Sequence, residues 1–127
     1  MEMVKIYIGI DWGAAKIGVA IGDNQSKTAV PLAVVKNIDE LKEIINKEQA
    51  DVLVLGEPIK MSGDNNFLQA FNDFKEKLND LKIPVEMIDE RLTSKLADKL
   101  FGNKKEKAPQ DAIAAMLILQ SYFDQVK

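Results

Sequence analysis

The sequence predicts an α/β fold: a mixed five-stranded sheet, made of a three-stranded antiparallel meander plus parallel strands, flanked by helices. Two strand-like runs, 4–10 and 17–21, are separated by only a short turn, whereas the later strand-like runs alternate with amphipathic helical segments. Short turns join antiparallel strands, and helical crossovers join parallel ones. The chain of 127 residues is long enough for one core, so we expect a single domain over residues 1–127.

The first third of the chain carries the predicted meander. Residues 4–10 are rich in β-branched and aromatic side chains and end at Asp11-Trp12-Gly13. Residues 17–21 follow as a second strand after a turn that contains Gly13. A third strand is expected over residues 29–35, where Pro31 indicates a sheet edge or a strand start.

The rest of the chain alternates between helical and extended patterns. Apolar residues recur at helical spacing from Asp39 onward, and a second apolar stripe between Phe67 and Leu81 is assigned to core packing and to no cofactor. The continuous apolar run 52–55 is typical of a central strand covered on both faces, and 84–88 is the fifth strand. Two helices are expected to follow, one capped by Thr93 and ending at Gly102-Asn103, and a deeply packed one opened by Pro109.

The composition excludes several classes of function. The chain has no Cys and no His, which removes disulfides, thiolate nucleophiles, Ser-His triads and nearly all common zinc sites. Hydrolytic chemistry would therefore depend on carboxylates, lysines, hydroxyls or an oxygen-ligated metal. No apolar run approaches the roughly 20 residues of a membrane span, and the N-terminus enters a strand directly, so we expect a cytoplasmic protein with no membrane contact.

Three acidic residues stand at the ends of predicted elements: Asp11 after the first strand, Glu90 after the fifth, and Asp111 in the first turn of the last helix. Each has an ordinary explanation, since Asp111 could complement the helix dipole and the others could simply end strands. If the fold brings them together, ligation by oxygen alone suits Mg²⁺ or Mn²⁺. Two such ions could activate water and stabilise the leaving oxygen in phosphodiester hydrolysis.

One segment of the chain is basic although the formal net charge is −3. Its cations could form a solvated helix face and loop, or could meet the phosphates of a nucleic acid. They are Arg91, Lys95, Lys99, Lys104, Lys105 and Lys107.

Four motifs, in the same order along nearly the whole chain, resemble the YqgF/RuvX family. They are residues 9–20 around Asp11, Gly56-Glu57-Pro58 with Met61-Ser62-Gly63, Asp89-Glu90-Arg91-Leu92-Thr93, and the run from Asp111 to Tyr122. The resemblance implies an RNase H-like fold and a nuclease that matures the 5′ end of pre-16S ribosomal RNA, or alternatively a resolvase of Holliday junctions. It also implies that Asp11, Glu90 and Asp111 bind the metal ions.

The same resemblance places the basic segment on the nucleic-acid face, together with Lys16. Arg91 would contact phosphate or pair with a carboxylate. The chain departs from the family pattern at Ala14 and Ala15, where a Thr and a basic residue are usual, and at Ser62, where an acid is usual. Glu57 occupies a commonly apolar position and could be a fourth metal ligand or a substitute for Glu90.

Two other classes of function compete with a nuclease. Asp11-Trp12-Gly13 between two strands also resembles the phosphate loop of actin-like ATPases, but those enzymes need two lobes and this chain is long enough for one. A nucleic-acid-binding protein of the same fold with a weak metal site is the second alternative. A junction resolvase would act as a homodimer, because paired cuts require two sites related by a two-fold axis, whereas an enzyme trimming RNA could work as a monomer.

Overall fold

The computed structural model describes residues 3–57, 65–89 and 110–125. Five strands and three helices lie within these ranges. In chain order they are β1 (Ile6–Trp12), β2 (Ile17–Asp23), β3 (Val30–Val35), α1 (Ile38–Glu48), β4 (Val52–Glu57), α2 (Asn65–Asn79), β5 (Val85–Asp89) and α3 (Gln110–Gln125). The helix expected after Thr93, the basic segment and Glu90 lie outside the described residues.

The strands form one sheet in the order β3-β2-β1-β4-β5. The pairs β1–β2 and β2–β3 are antiparallel, whereas β1–β4 and β4–β5 are parallel. The predicted mixed sheet of a meander plus parallel strands is therefore confirmed. Pro31 lies on the edge strand β3, where a missing backbone N–H leaves no gap in a central ladder.

The two faces of the sheet carry different layers of apolar side chains. On one face, Ile8 and Ile10 of β1 and Leu53 and Leu55 of β4 pack in a cluster with residues of α1 and α2. On the other face, Val54 packs with residues of α3. Because side chains alternate along a strand, the continuous apolar run of β4 supplies both layers. The expectation of a central strand covered on both sides is thus confirmed.

Helix α1 begins where its sequence provides a cap. The Asn37 side chain accepts a hydrogen bond from the backbone N–H of Glu40, and the Glu40 carboxylate accepts one from the backbone N–H of Lys36 at 2.7 Å. The first bond satisfies a backbone donor of the first turn that would otherwise have no partner in the helix, and the second holds the residue before the cap against the same turn. They fix the chain direction between the end of β3 and the start of α1.

Helix α3 lies close against the centre of the sheet because glycines face it. A Cβ built on Gly9 would lie 2.7 Å from the backbone oxygen of Ala115, and one built on Gly22 would lie 2.8 Å from the Phe123 ring. Any larger residue at Gly9 would push the helix away, so the glycines of β1 and β2 set the distance between α3 and the sheet.

Candidate metal centre at the ends of β1 and α3

Asp11 lies near the end of the central strand β1, on the face covered by α3. Tyr7 of the same strand packs against that layer and Gly9 touches α3, so alternation places Asp11 on the same face. The sequence predicted that Asp11 would follow the strand, but the ladder continues through it to Trp12, which pairs with Ile17. Asp11 is therefore held by pairing with β2, and its side chain is half-buried.

Gly18 connects Asp11 to the start of α3. It is the β2 partner of Asp11 in the antiparallel register, and a Cβ built on it would overlap the backbone carbonyl of Asp111. The Cα atoms of facing residues in such a ladder lie about 4.5–5.5 Å apart. The first turn of α3 thus lies on the sheet directly beside Asp11.

Asp111 occupies that first turn and is half-buried. The backbones of two of the three acids predicted from the sequence therefore lie near each other at one end of the sheet, on the face that α3 covers. Each is carried by a regular element with buried neighbours, Ile10 beside Asp11 and Ala112 beside Asp111, both almost fully inaccessible to solvent. Rigid elements of this kind can hold ligands for a metal ion precisely.

Glu57 is placed differently. It is the last residue of β4 and pairs with Asp89 of β5 in the parallel register. Alternation gives Glu57 the same face as Leu53 and Leu55, which belong to the layer under α1 and α2. Glu57 is exposed, and the strand pattern directs it away from the face that carries Asp11 and Asp111.

Within the described ranges, no group of three or more acidic residues is close enough together to hold a metal ion. The third predicted acid, Glu90, directly follows Asp89 at the end of β5 and lies outside those ranges, as do Arg91 and the lysines from Lys95 to Lys107. Lys16 is described and is exposed in the β1–β2 turn, where its carbonyl accepts a hydrogen bond from the Gly13 N–H at 2.9 Å.

Trp12 lines a cavity of about 300 Å³ on the opposite face from Asp11. Its ring lies 5.5–5.9 Å from the rings of Phe67, Phe71 and Phe74 of α2. These contacts agree with the prediction that the aromatic stripe of α2 serves core packing.

The sheet order and the flanking helices define an RNase H-like fold. Among solved structures, the chain is similar to the RuvC protein of Thermus thermophilus in complex with a Holliday junction substrate, with a TM-score of 0.67 and 15% identity over 95% of this chain and 94% of that one. It is also similar to the fowlpox virus resolvase in complex with Holliday junction DNA, with a TM-score of 0.58 and 15% identity over 96% and 99% of the two chains. At this identity the likeness establishes the fold alone.

The family is established by sequence. The family model described as RuvX, Holliday junction resolvase, matches residues 5–125, and the chain belongs to this family. A relative from Endomicrobium trichonymphae is 34% identical over 92% of this chain and 94% of its own length, and one from Shewanella denitrificans is 34% identical over 98% and 97%. Both are named as candidate pre-16S rRNA nucleases. The predicted resemblance is therefore confirmed.

Among the described residues, no helix has the length and apolar character needed to cross a membrane.

Proposed function

We propose that this chain is a metal-dependent nuclease that hydrolyses phosphodiester bonds, with Asp11 and Asp111 at its centre. The observation that carries the proposal is the contact of the first turn of α3 with Gly18, because it brings Asp111 beside Asp11. Membership in the RuvX family and the nuclease names of its relatives support the same activity.

The residues at this place fit a hard divalent cation. Asp11 and Asp111 offer carboxylate oxygens, which Mg²⁺ and Mn²⁺ prefer, and the chain has no Cys or His to attract softer metals. Glu90 is the third acid in this proposal. A bound divalent cation would supply an activated water and would stabilise negative charge on the phosphate and leaving oxygens.

The fold itself holds the two proposed ligands, Asp11 and Asp111, in place. Asp11 is fixed by the ladder between β1 and β2, and Asp111 is fixed because α3 packs on Gly9, Gly18 and Gly22. Both are half-buried, so a phosphodiester can reach them from solvent while their own orientation stays restricted.

Precursor 16S ribosomal RNA is the proposed substrate, with 5′-end maturation as the proposed role. The relatives that are about one-third identical over nearly the full chain carry that substrate in their names. A four-way DNA junction is the alternative, supported by the description of the family model. In either case two groups of cations would contact phosphates: the basic segment from Arg91 to Lys107, and Lys16 in the β1–β2 turn.

A binding protein without catalysis is the remaining alternative. It is favoured by Ala14 and Ala15, which are exposed in the β1–β2 turn that follows Asp11 and bring neither a hydroxyl nor a charge to that turn. Such a protein would bind the same nucleic acid and leave it intact.

Cleavage assays separate these candidates. Labelled precursor ribosomal RNA and a labelled four-way junction are incubated in Mn²⁺ with the wild-type protein, with Asp11→Asn, with Asp111→Asn, and with Asp80→Asn, an exposed acid after α2, as the matched control. We expect cutting of the RNA by the wild type and by the control and loss of cutting in the two site variants. Junction cutting with the same dependence would select the resolvase, and binding of either substrate without cutting would select the binding protein.

A further inference from the structure

A second site adjoins the acid pair at the same end of the sheet but on its other face. The cavity of about 300 Å³ is formed where β1 ends, β2 begins and β3 leads into α1, and α2 closes its side. Trp12, Gly13 and Ile17 line it from the strands. Since Asp11 and Trp12 are consecutive, the cavity begins one residue from the proposed metal centre.

The cavity has the chemistry of a nucleotide site. Trp12 offers an aromatic ring, and aromatic rings bind unpaired bases by stacking. Lys36 and Lys77 line the same cavity from the end of β3 and from α2 and bring two positive charges. Asp73 adds a carboxylate that can accept hydrogen bonds from base amino groups or ribose hydroxyls, and Asn37, whose side-chain oxygen caps α1, adds an amide NH₂ that can donate them.

Other functions explain this combination less well. Four of the lining side chains are charged or amide groups of exposed residues, so the cavity opens to solvent and has a polar rim beside its apolar and aromatic lining. A volume of about 300 Å³ lies at the lower end of the range for sites of small organic ligands and far exceeds the space of a single water or ion. Two lysines against one aspartate favour an anionic ligand.

We propose that this cavity receives one unpaired nucleotide of the substrate strand, with its base against Trp12 and its phosphate near Lys36 and Lys77. The inference rests on the proposed function, because it assumes that a nucleic-acid strand passes the acid pair. The cavity would give the nuclease a substrate preference. A strand with an unpaired nucleotide next to the cut can enter the cavity, whereas a continuous duplex cannot, because its bases stay stacked and paired.

Trp12 is the only tryptophan of the chain, so its fluorescence reports on this cavity alone. The full-length protein is titrated without divalent metal with a single-stranded RNA hexamer, with the DNA hexamer of the same sequence, and with a blunt duplex. Fluorescence anisotropy of the labelled strands measures total binding in parallel. The two single strands distinguish a ribonucleotide site from one that accepts either sugar.

The test variant is Lys36→Ala/Lys77→Ala, and the matched control is Lys5→Ala/Lys47→Ala, which removes two exposed lysines away from the cavity. We expect a saturable change in Trp12 emission that follows the anisotropy curve for single strands and is absent with the duplex. The test variant should lower the slope of log affinity against log salt by about 0.7, because the contact of one phosphate of a single strand is lost. The control should keep the wild-type slope.

Strand binding by anisotropy without any change in Trp12 emission would overturn the inference and leave the proposed function intact. An unchanged affinity and salt slope in the test variant would overturn it as well. If no single strand binds, the inference fails, and the cleavage assay above decides separately on the nuclease.

Discussion

Gly18 lies directly beneath the backbone carbonyl of Asp111, so closely that a Cβ on Gly18 would overlap that oxygen. Gly18 is also the ladder partner of Asp11. One residue without a side chain therefore allows the first turn of α3 to rest beside the end of β1, and the proposed metal centre depends on this contact.

Gly18→Ala should destabilise the protein by about 1–3 kcal/mol, because the added methyl forces α3 or β2 to shift. It should also lower cleavage, since the shift moves Asp111 away from Asp11. Urea denaturation measures the free energy of unfolding. Gly13→Ala is the comparison variant, because its Cβ would lie 3.0 Å from the Lys16 carbonyl oxygen, a tight contact that a small shift of the turn relieves, so it should cost less stability than Gly18→Ala. A Gly18→Ala protein as stable and active as the wild type would contradict the described contact.

Glu57 and Glu90 should respond differently to removal of their charge. Glu57→Gln should change cleavage little, because the strand pattern places Glu57 on the face opposite Asp11. Glu90→Gln should lower the rate by about 100-fold or more, since loss of a metal ligand costs at least as much as loss of an outer-shell partner. The two variants are compared by their cleavage rates at saturating Mn²⁺. The reverse order would make Glu57 the second catalytic acid.

Gln120 ties the β2–β3 loop to α3. Its side-chain oxygen accepts a hydrogen bond from the buried Ala29 N–H, and its amide nitrogen donates to the Lys27 carbonyl, each at 3.0 Å. Gln120→Ala leaves the Ala29 donor without this partner and should cost about 1–3 kcal/mol. Hydrogen exchange at Ala29 should become faster. Gln125→Ala, at the exposed end of α3, serves as the control. Equal stability of the two variants would argue against a stabilising role for the Gln120 hydrogen bonds.

Tyr122 should titrate above its ordinary range. Burial of the ring raises the pKa of Tyr122 above 10.0, and the negative charges of Glu86 and of ionised Tyr7 add to the effect. The folded protein thus holds this phenolic proton more tightly than the unfolded chain does, so stability should fall as the pH rises above about 10.

Absorbance of the phenolate in a Tyr7→Phe background follows the Tyr122 titration alone, because the chain has only these two tyrosines. Glu86→Gln should lower the pKa of Tyr122, whereas Glu43→Gln on the exposed side of α1 should leave it unchanged. An equal pKa in both variants would show that Glu86 does not act on Tyr122.

The sequence predicted the sheet and the order of its elements because the apolar patterns are strong: alternating in the meander, continuous in β4, and helical in α1 and α2. Strand ends were less accurate. Asp11, Trp12 and Glu57 belong to strands because they pair with Gly18, Ile17 and Asp89 respectively, and such pairing cannot be recognised from local composition.

The acids at element ends were recognisable in the sequence, and the fold places the backbone of Asp111 beside Gly18, the ladder partner of Asp11. That these acids bind a metal stays a prediction. The role of Gly18 and the cavity at Trp12 could not be read from the chain, because both arise from contacts between residues far apart in sequence. A glycine inside a strand was the available sign that another backbone approaches closely.

Binding of Mn²⁺ tests the central claim most directly, because it requires neither the correct substrate nor turnover. Titration calorimetry measures the Mn²⁺ affinity of four proteins: the wild type, Asp11→Asn, Asp111→Asn and the Asp80→Asn control. We expect binding in the wild type and the control that weakens by about tenfold or more in both site variants. Equal Mn²⁺ affinity in all four proteins would contradict a metal centre built from Asp11 and Asp111.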